Sequence, residues 1–165
     1  MESLAAAAVK GSTDDGDLVF GGQIREVDTR AVYDGVRIQL PGLEAENELR
    51  IEADALYTNT GEGLHRFTDP VDGETYLYTQ FEVPDSRRMF AVFEQPDLKA
   101  AFRFTVTAPA HWEVVSNSPT PEPEPAGAAA DGGARSRWEF PPTPRLSSYV
   151  TALIAGPYRV VRELG

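Results

Sequence analysis

A glutamine and a glutamate separated by one residue form the feature of this sequence with the clearest potential for binding chemistry. Gln80 and Glu82 occur in the run T-Q-F-E. Successive side chains of an extended segment point to opposite faces, so these two would share a face. They could form the solvated side of a half-buried strand, or they could bind a ligand, because a desolvated carboxylate recognises an ammonium group through charge-assisted hydrogen bonds. Taken alone, the residues favour the solvated strand end.

The two histidines do not form a catalytic or metal-binding motif. His65 lies in the turn-like run G-E-G-L-H-R-F, and His111 directly precedes Trp112. Neither belongs to H-E-x-x-H or has a second histidine at metal-ligand spacing, which favours surface or packing roles for both. The run G-E-G-L-H-R lacks the third glycine of a dinucleotide loop, and no serine has a G-x-S-x-G context. We therefore assign no catalytic residue and no metal ligand.

The chain is acidic and contains no cysteine. Its 165 residues include 26 acidic and 15 basic side chains, which gives a formal net charge of −11. Because such a field repels phosphate backbones, we expect no nucleic-acid partner. The absence of cysteine excludes disulfides, thiolate nucleophiles and cysteine-ligated zinc, and it fits a cytoplasmic protein. The apolar run Leu4–Val9 is too short for a signal-peptide core or a membrane span, so we expect no membrane association.

Short runs of alternating apolar and polar residues, separated by Gly/Pro turns, predict an all-β fold. This period-2 pattern is typical of strands with one wet face. About eight such runs indicate an antiparallel sandwich or saddle-like assembly. We predict strands at Val36–Leu40, Asn47–Tyr57, Thr75–Glu82, Phe102–Thr107, Trp112–Ser116, Arg137–Phe140 and Ser148–Ala155.

One short helical segment interrupts the strand pattern at Asp85–Phe93. Asp85 can cap a helix start, and Met89, Phe90 and Phe93, at i, i+1 and i+4, are expected on one helix face. We expect Phe90, Phe93 and Leu98 in the core. Arg87 and Arg88 are expected to pair with nearby acids.

Composition divides the chain into a tail and one domain. Residues 1–17 are predicted to form a flexible tail, because a small apolar run is followed there by the polar cluster G-S-T-D-D-G-D. Residues 18–165 are long enough for a single β-domain with a core. The Pro-rich and then Ala/Gly-rich residues 119–134 predict a mobile loop within it.

Several motifs in the same order carry a family resemblance. T-Q-F-E is followed by R-R-x-F and by E-Q-P-D-L-K-A-x-F; Tyr57–Tyr78 precedes these motifs and Pro141–Tyr158 comes later. Together they resemble the N-terminal β-domain of zinc metallo-aminopeptidases of the aminopeptidase N type, particularly actinobacterial members, over about residues 36–160. The chain departs from the family at M-F-A-V-F, where Phe-Pro-Cys-Phe is common, and in residues 1–22, where the family's opening strands are not recognisable.

The resemblance implies a role for the chain and for its Gln/Glu pair. In the family, the β-domain packs on a thermolysin-like catalytic domain, and a Gln and a Glu of the β-domain reach the active site. By position these match Gln80, which would line the pocket for the first substrate side chain, and Glu82, which would hold the α-ammonium group of the peptide N-terminus. The family's H-E-x-x-H and G-A-M-E-N motifs do not occur in this chain. No cofactor is therefore expected here, and zinc is expected only in a missing catalytic domain.

Two functions from different classes remain open at this point, and a third is weaker. The chain could be the substrate-anchoring, non-catalytic portion of a zinc aminopeptidase, with the metallopeptidase catalytic domain as its partner in cis. It could instead be a stand-alone, truncated β-domain that acts as a binding or interaction protein without peptidase activity. The weaker idea is a new enzymatic activity that uses Glu82 and neighbouring acids.

Overall fold

The computed structural model describes residues 4–5, 18–20, 23–25, 27–43 and 45–161. The chain divides into two compact units, one comprising Met1–Leu4 with Ala55–Gly165 and the other comprising Ala5–Asp54. None of the helices within these ranges is long and apolar enough to cross a membrane. The flexible tail predicted for residues 1–17 lies almost wholly outside the described residues, and the single domain predicted over 18–165 stays a prediction.

Short strands dominate the described residues. The strands are β1 (Leu4–Ala5), β2 (Leu18–Phe20), β3 (Gln23–Arg25), β4 (Asp54–Ala55), β5 (Gly63–Thr68), β6 (Thr75–Gln80), β7 (Thr105–Pro109), β8 (Glu113–Ser116), β9 (Glu124–Ala128), β10 (Ala134–Glu139) and β11 (Leu153–Gly156). The helices are one four-residue turn, α1 (Thr29–Val32), and two 3-10 helices, η1 (Asp85–Arg88) and η2 (Ser148–Val150).

The larger unit contains two antiparallel sheets. One sheet has four strands in the order β5-β6-β11-β8, and the other has three in the order β7-β10-β9. The prediction of an all-β class with antiparallel sheets and a short helical segment is confirmed. The strands predicted from Thr75 onwards correspond to β6, β7, β8 and β10 with bounds shifted by up to three residues. The strand predicted at Ser148–Ala155 is only partly correct, because Ser148–Val150 form η2 and β11 begins at Leu153.

Buried side chains from both sheets form one core in the larger unit. Val114 of β8 is fully buried, and Leu77 of β6 and Trp138 of β10 are each 2% exposed. Burying a side chain of this kind contributes roughly 1.5–3 kcal/mol, and these contacts stabilise both sheets. The core comprises Leu64, Leu77, Phe81, Met89, Phe104, Ala108, Val114, Trp138, Phe140, Leu153 and Ala155.

The turn between β5 and β6 follows from its sequence, D-P-V-D-G. Asp69 accepts a hydrogen bond from Val71 N at its carboxylate, and its carbonyl accepts another from Gly73 N, both 2.8 Å long. Asp72 accepts one from Glu74 N at 2.8 Å. Gly73 has a φ of 73°, which a glycine adopts without steric cost. This turn fixes the register in which β5 and β6 pair.

Two strand predictions in the first third of the sequence are wrong. β2 and β3 pair there as an antiparallel hairpin. Val36–Leu40 is not a strand and contains only an isolated bridge from Ile38 to Tyr33. The physical reason is the carboxylate of Asp34, which accepts hydrogen bonds from Val36 N and Arg37 N at 2.9 and 2.7 Å and turns the chain. The strand predicted at Asn47–Tyr57 is also wrong, since only β4 forms within that range.

Residues 119–134, predicted as an extended, mobile hairpin connection, also contain a strand that their composition did not predict. β9 lies inside this range and pairs antiparallel with β10. A tight turn joins the two strands, in which Ala129 N donates to Gly133 O at 2.8 Å and Gly132 N donates to Ala129 O at 2.9 Å. The mobility of the segment stays a prediction.

Candidate functional site

The exposed face of β6 presents Gln80. In the pairing of β6 with β5, Gln80 lies opposite Gly63 and Tyr78 lies opposite His65. Leu77 is 2% exposed and Tyr78 is 38% exposed, so alternate residues of β6 face the core and the outside. Gln80 is exposed, as this alternation requires.

Glu82 lies just beyond β6, in the turn that leads to η1. It is exposed, whereas Phe81 before it is only 3% exposed and packs edge-on against Phe90 with ring centroids 5.8 Å apart. The burial alternation of β6 therefore continues through Phe81, and Gln80 and Glu82 are exposed on either side of this buried ring. Neither the Gln80 amide nor the Glu82 carboxylate has a hydrogen-bond or ion-pair partner within the part of the chain that is described.

Backbone hydrogen bonds close the turn that carries Glu82. Asp85 N donates to Phe81 O at 3.0 Å, and Ser86 O accepts from Met89 N at 3.0 Å and from Phe90 N at 3.1 Å. Ser86 is fully buried, and its hydroxyl has no partner among the described residues. The turn is thus anchored to the core on both sides of Glu82.

The side chain of Asp85 does not cap the helix, contrary to the sequence-based prediction. Pro84 is the N-cap residue, without a side-chain cap, and Asp85 is the first residue of η1. Asp85 is 6% exposed, and its carboxylate accepts a hydrogen bond from Arg88 Nε at 2.6 Å. This hydrogen bond, together with the negative charge of Asp85, raises the pKa of Arg88 above its ordinary value. Arg88 therefore has the predicted acidic partner, whereas Arg87 has none within the described ranges.

Arg88 also contacts the beginning of β5. Its Nη2 lies 3.2 Å from Glu62 Oε2, one residue before the strand starts. Gly63 has a φ of 65°, and a Cβ built on it would lie only 2.8 Å from the Cβ of Arg88. Real Cβ contacts are almost never this short, so only glycine fits opposite Gln80 without displacing Arg88. The arginine side chain thereby joins η1 to the strand that pairs with Gln80.

An open aromatic cleft continues the same face of the sheet away from Gln80. It has a volume of about 370 Å³ and is lined by His65, Phe67, Asp69, Tyr76, Tyr78 and Tyr158. Its rings contact one another, with centroids 4.8 Å apart for His65 and Tyr78 and 5.0 Å apart for Tyr76 and Tyr158. This cleft was not predicted from the sequence, although the alternation in T-Y-L-Y-T-Q places Tyr76 and Tyr78 on the face of Gln80.

Hydrogen bonds and burial determine where the polar side chains of the cleft carry their protons. His65 Nδ1 accepts a hydrogen bond from Gly61 N at 2.9 Å, which places the proton of a neutral imidazole on Nε2. The hydroxyl of Tyr76 donates to Asp72 at 2.8 Å, and this bond raises the pKa of Tyr76 to about 12. Burial raises the pKa of Tyr158. At neutral pH both phenols are therefore protonated.

The histidines occupy separate environments. His65 stacks on Tyr78, whereas His111 Nε2 lies 3.4 Å from Glu74 Oε2. Residues 27–43 and 45–161, together with the three shorter described segments, contain no group of three or more His, Asp or Glu side chains that could hold a metal ion. The side chains present here do not fit a zinc site.

Comparisons with known proteins agree on one family. The family model described as "Peptidase M1 N-terminal domain" matches residues 21–150. A protein named "Aminopeptidase N" from Streptomyces lividans is 60% identical over 139 residues, which cover 84% of this chain and 15% of that protein. "Aminopeptidase N" from Acetobacter pasteurianus is 40% identical over 109 residues, 65% of this chain and 29% of that protein. "Probable aminopeptidase 1" from Sulfurisphaera tokodaii is 31% identical over 97 residues, 59% of this chain and 12% of that protein. The chain thus spans less than a third of the length of each of these relatives.

Proposed function

Because the chain belongs to the peptidase M1 N-terminal domain family, we propose that it is the substrate-anchoring, non-catalytic domain of an aminopeptidase that removes N-terminal residues from peptides. In this proposal, Glu82 binds the α-ammonium group of the peptide, and Gln80 lines the pocket for its first side chain. The partner is a metallopeptidase catalytic domain in the same protein, and zinc belongs to that domain.

The observation that carries the proposal is the exposed carboxylate of Glu82, which lies on an anchored turn and has no ion-pair partner among the described residues. An aminopeptidase has to distinguish a free N-terminus from an internal peptide bond, and the free N-terminus differs by its positive charge. A carboxylate accepts the N–H groups of an ammonium in charge-assisted hydrogen bonds, which are roughly twice as strong as neutral ones. Because described residues do not occupy the Glu82 carboxylate, it can accept these bonds without first breaking an internal contact.

Gln80 supports the same proposal through its chemistry and position. Its amide can donate and accept hydrogen bonds but carries no charge, so it can line a side-chain pocket without competing with Glu82 for the ammonium group. The exposed positions of Gln80 and Glu82 lie on either side of the buried Phe81. The two side chains are therefore expected to contact neighbouring parts of one ligand.

The first test uses the chain itself. Amide signals of isotope-labelled protein are followed by NMR during titration with leucinamide, which carries an α-ammonium group, and with N-acetyl-leucinamide, which does not. We expect leucinamide alone to shift the signals of residues 80–83, and Glu82→Gln to abolish the shifts. Equal shifts with both compounds would contradict ammonium recognition.

The second test supplies a catalytic domain. This chain replaces the matching 139 residues of the Streptomyces lividans relative, a replacement at 60% identity, and the graft is assayed with aminoacyl anilides. Removing a charge-assisted hydrogen bond costs about 1.5–3 kcal/mol, so Glu82→Gln should lower kcat/KM roughly tenfold to a hundredfold. Glu122→Gln is the control, because Glu122 is also exposed and lies in the segment before β9. An unchanged kcat/KM for Glu82→Gln would refute the proposed role.

A further inference from the structure

The contacts of Arg88 have a consequence for ammonium recognition that goes beyond stabilising the turn. We infer that Arg88 is a positioning residue for Glu82, and that Asp85 and Glu62 keep its guanidinium away from the Glu82 carboxylate. The inference rests on the proposed function of Glu82. It assigns Arg88 an action through Glu82 and no contact with the substrate.

Glu82 lies between two fixed points, since Gln80 belongs to β6 and Asp85 begins η1. β6 is held by its pairing with β5 and β11. η1 is only four residues long, so its own hydrogen bonds are too few to fix its orientation. Burial of Asp85 and Ser86 anchors η1 to the core, and the ion pair between Arg88 and Glu62 connects it to the residue that precedes β5.

The close approach of Arg88 to Gly63 places the aliphatic part of the arginine against the backbone that pairs with Gln80. Movement of Arg88 would therefore be transmitted to the strand position opposite Gln80 and to the turn that carries Glu82. A bidentate, planar guanidinium can hold two acids in fixed directions, which a lysine ammonium cannot do.

A mobile arginine six residues from Glu82 would be a competitor for that carboxylate, because both the guanidinium and a substrate ammonium are cations. Arg88 instead directs Nε to Asp85 at 2.6 Å and Nη2 towards Glu62 at 3.2 Å. Two carboxylates thus neutralise one guanidinium, and the Glu82 carboxylate stays available for an external cation.

The experiment is a double-mutant cycle in the grafted aminopeptidase introduced above. Arg88→Gln removes the charge and both ion pairs but keeps much of the aliphatic stem. A misplacement of 1 Å can cost a hundredfold in rate, and we expect a partial loss here, with KM raised about tenfold and kcat changed less than KM. Arg87→Gln is the matched control, because Arg87 is an exposed neighbour without a partner in the described ranges, and its KM should stay within about twofold.

The cycle separates positioning from a general structural role. If Arg88 acts through Glu82, Arg88→Gln should raise KM much less in the Glu82→Gln background than in the wild type. Equal effects in both backgrounds, or a wild-type KM for Arg88→Gln, would overturn the inference. If Glu82→Gln alone leaves kcat/KM unchanged, the proposed function fails instead, and the two failures are therefore distinguishable.

Two further variants decide the question if Arg88→Gln does not fold. Arg88→Lys keeps the charge and loses the planar fork, and Glu62→Gln removes one exposed partner of Arg88. Both should raise KM by a smaller factor than Arg88→Gln while thermal unfolding stays cooperative. A wild-type KM in both folded variants would also overturn the inference.

Discussion

Gly63 and Gly73 offer a matched pair for testing whether Arg88 packs against β5. Their φ values, 65° and 73°, lie in the same left-handed region. Alanine in that region costs about 1–2 kcal/mol, so this term should be nearly equal at the two positions. They differ in space: a Cβ at Gly73 meets nothing within 4 Å, whereas one at Gly63 lies 2.8 Å from Arg88 Cβ and 3.1 Å from its Cδ.

The difference between the two substitutions therefore isolates the contact with Arg88. Overpacking of this kind costs about 1–3 kcal/mol, which Gly63→Ala should lose in addition to the backbone term. For a chain of this length, 1 kcal/mol lowers Tm by about 2–4 °C. We expect Tm to fall by about 2–8 °C in Gly73→Ala and by a further 2–12 °C in Gly63→Ala, measured by circular dichroism and calorimetry.

The same substitutions in an Arg88→Gly background test whether the Cβ of Arg88 causes the extra loss of stability. Arg88→Gly removes the Cβ that a new methyl group at residue 63 would meet. In this background, Gly63→Ala should cost only the backbone term and should match Gly73→Ala. If Gly63→Ala and Gly73→Ala lower Tm equally in the wild type, Arg88 does not pack against Gly63 and cannot transmit movement to the strand position opposite Gln80.

Two other predictions follow from a phenol and a buried hydroxyl. Tyr76 should titrate near pH 12, because its hydrogen bond to Asp72 raises its pKa. The pKa, followed by NMR of the ring, should fall in Asp72→Asn. Because the folded-state pKa exceeds the ordinary value of about 10, the stabilisation from Tyr76 is complete below pH 10 and is lost between about pH 10 and 12. A titration of Tyr76 near pH 10 would contradict the hydrogen bond. Ser86→Ala should leave the midpoint of urea unfolding unchanged or raise it, because the buried hydroxyl of Ser86 has no partner among the described residues. Ser147→Ala should lower this midpoint, because the Ser147 hydroxyl donates a hydrogen bond to the Pro96 carbonyl. An equal decrease in both variants would show that Ser86 makes a hydrogen bond of its own.

The sequence predicted the strands that carry a clear two-residue alternation and a core-facing side. In β6, the apolar Leu77 alternates with Tyr78, and the structure buries the first and exposes the second. The alternation at Val36–Leu40 is equally regular, but it was overridden by the turn at Asp34, whose side-chain hydrogen bonds compete with strand pairing. Alternation alone does not show whether a partner strand is available.

The helical segment was predicted at the correct place but too long. η1 ends at Arg88, and the chain beyond it does not follow the helical spacing that would bring Phe93 beside Met89. Met89 is 5% exposed, whereas Phe93 is 71% and Leu98 is 52% exposed, so the prediction that Phe93 and Leu98 lie in the core is wrong. Phe90, the third of these residues, is half-buried against Phe81 and Phe102.

The candidate site was only partly readable from the sequence. Spacing predicted that Gln80 and Glu82 share a face, and their substrate role came from the family resemblance. The register between β5 and β6 follows from the local turn sequence D-P-V-D-G, but the contact of Arg88 with Gly63 also depends on the direction in which η1 leaves β6. No local pattern encodes that direction, because it arises from packing between residues some 25 positions apart.

The hairpin of β9 and β10 has a consequence for how the protein avoids aggregation. β9 is at the edge of the three-stranded sheet formed by described residues, where unpaired backbone groups could pair with another chain. Pro125 within it lacks an N–H group, and Glu124 adds a negative charge to an already acidic surface. The proline- and glutamate-rich composition, which looks like a featureless insertion in the sequence, therefore makes this edge a poor template for aggregation. Replacing P-E-P-E-P with strand-forming residues should therefore lower the solubility of the protein before it changes the packing of the core.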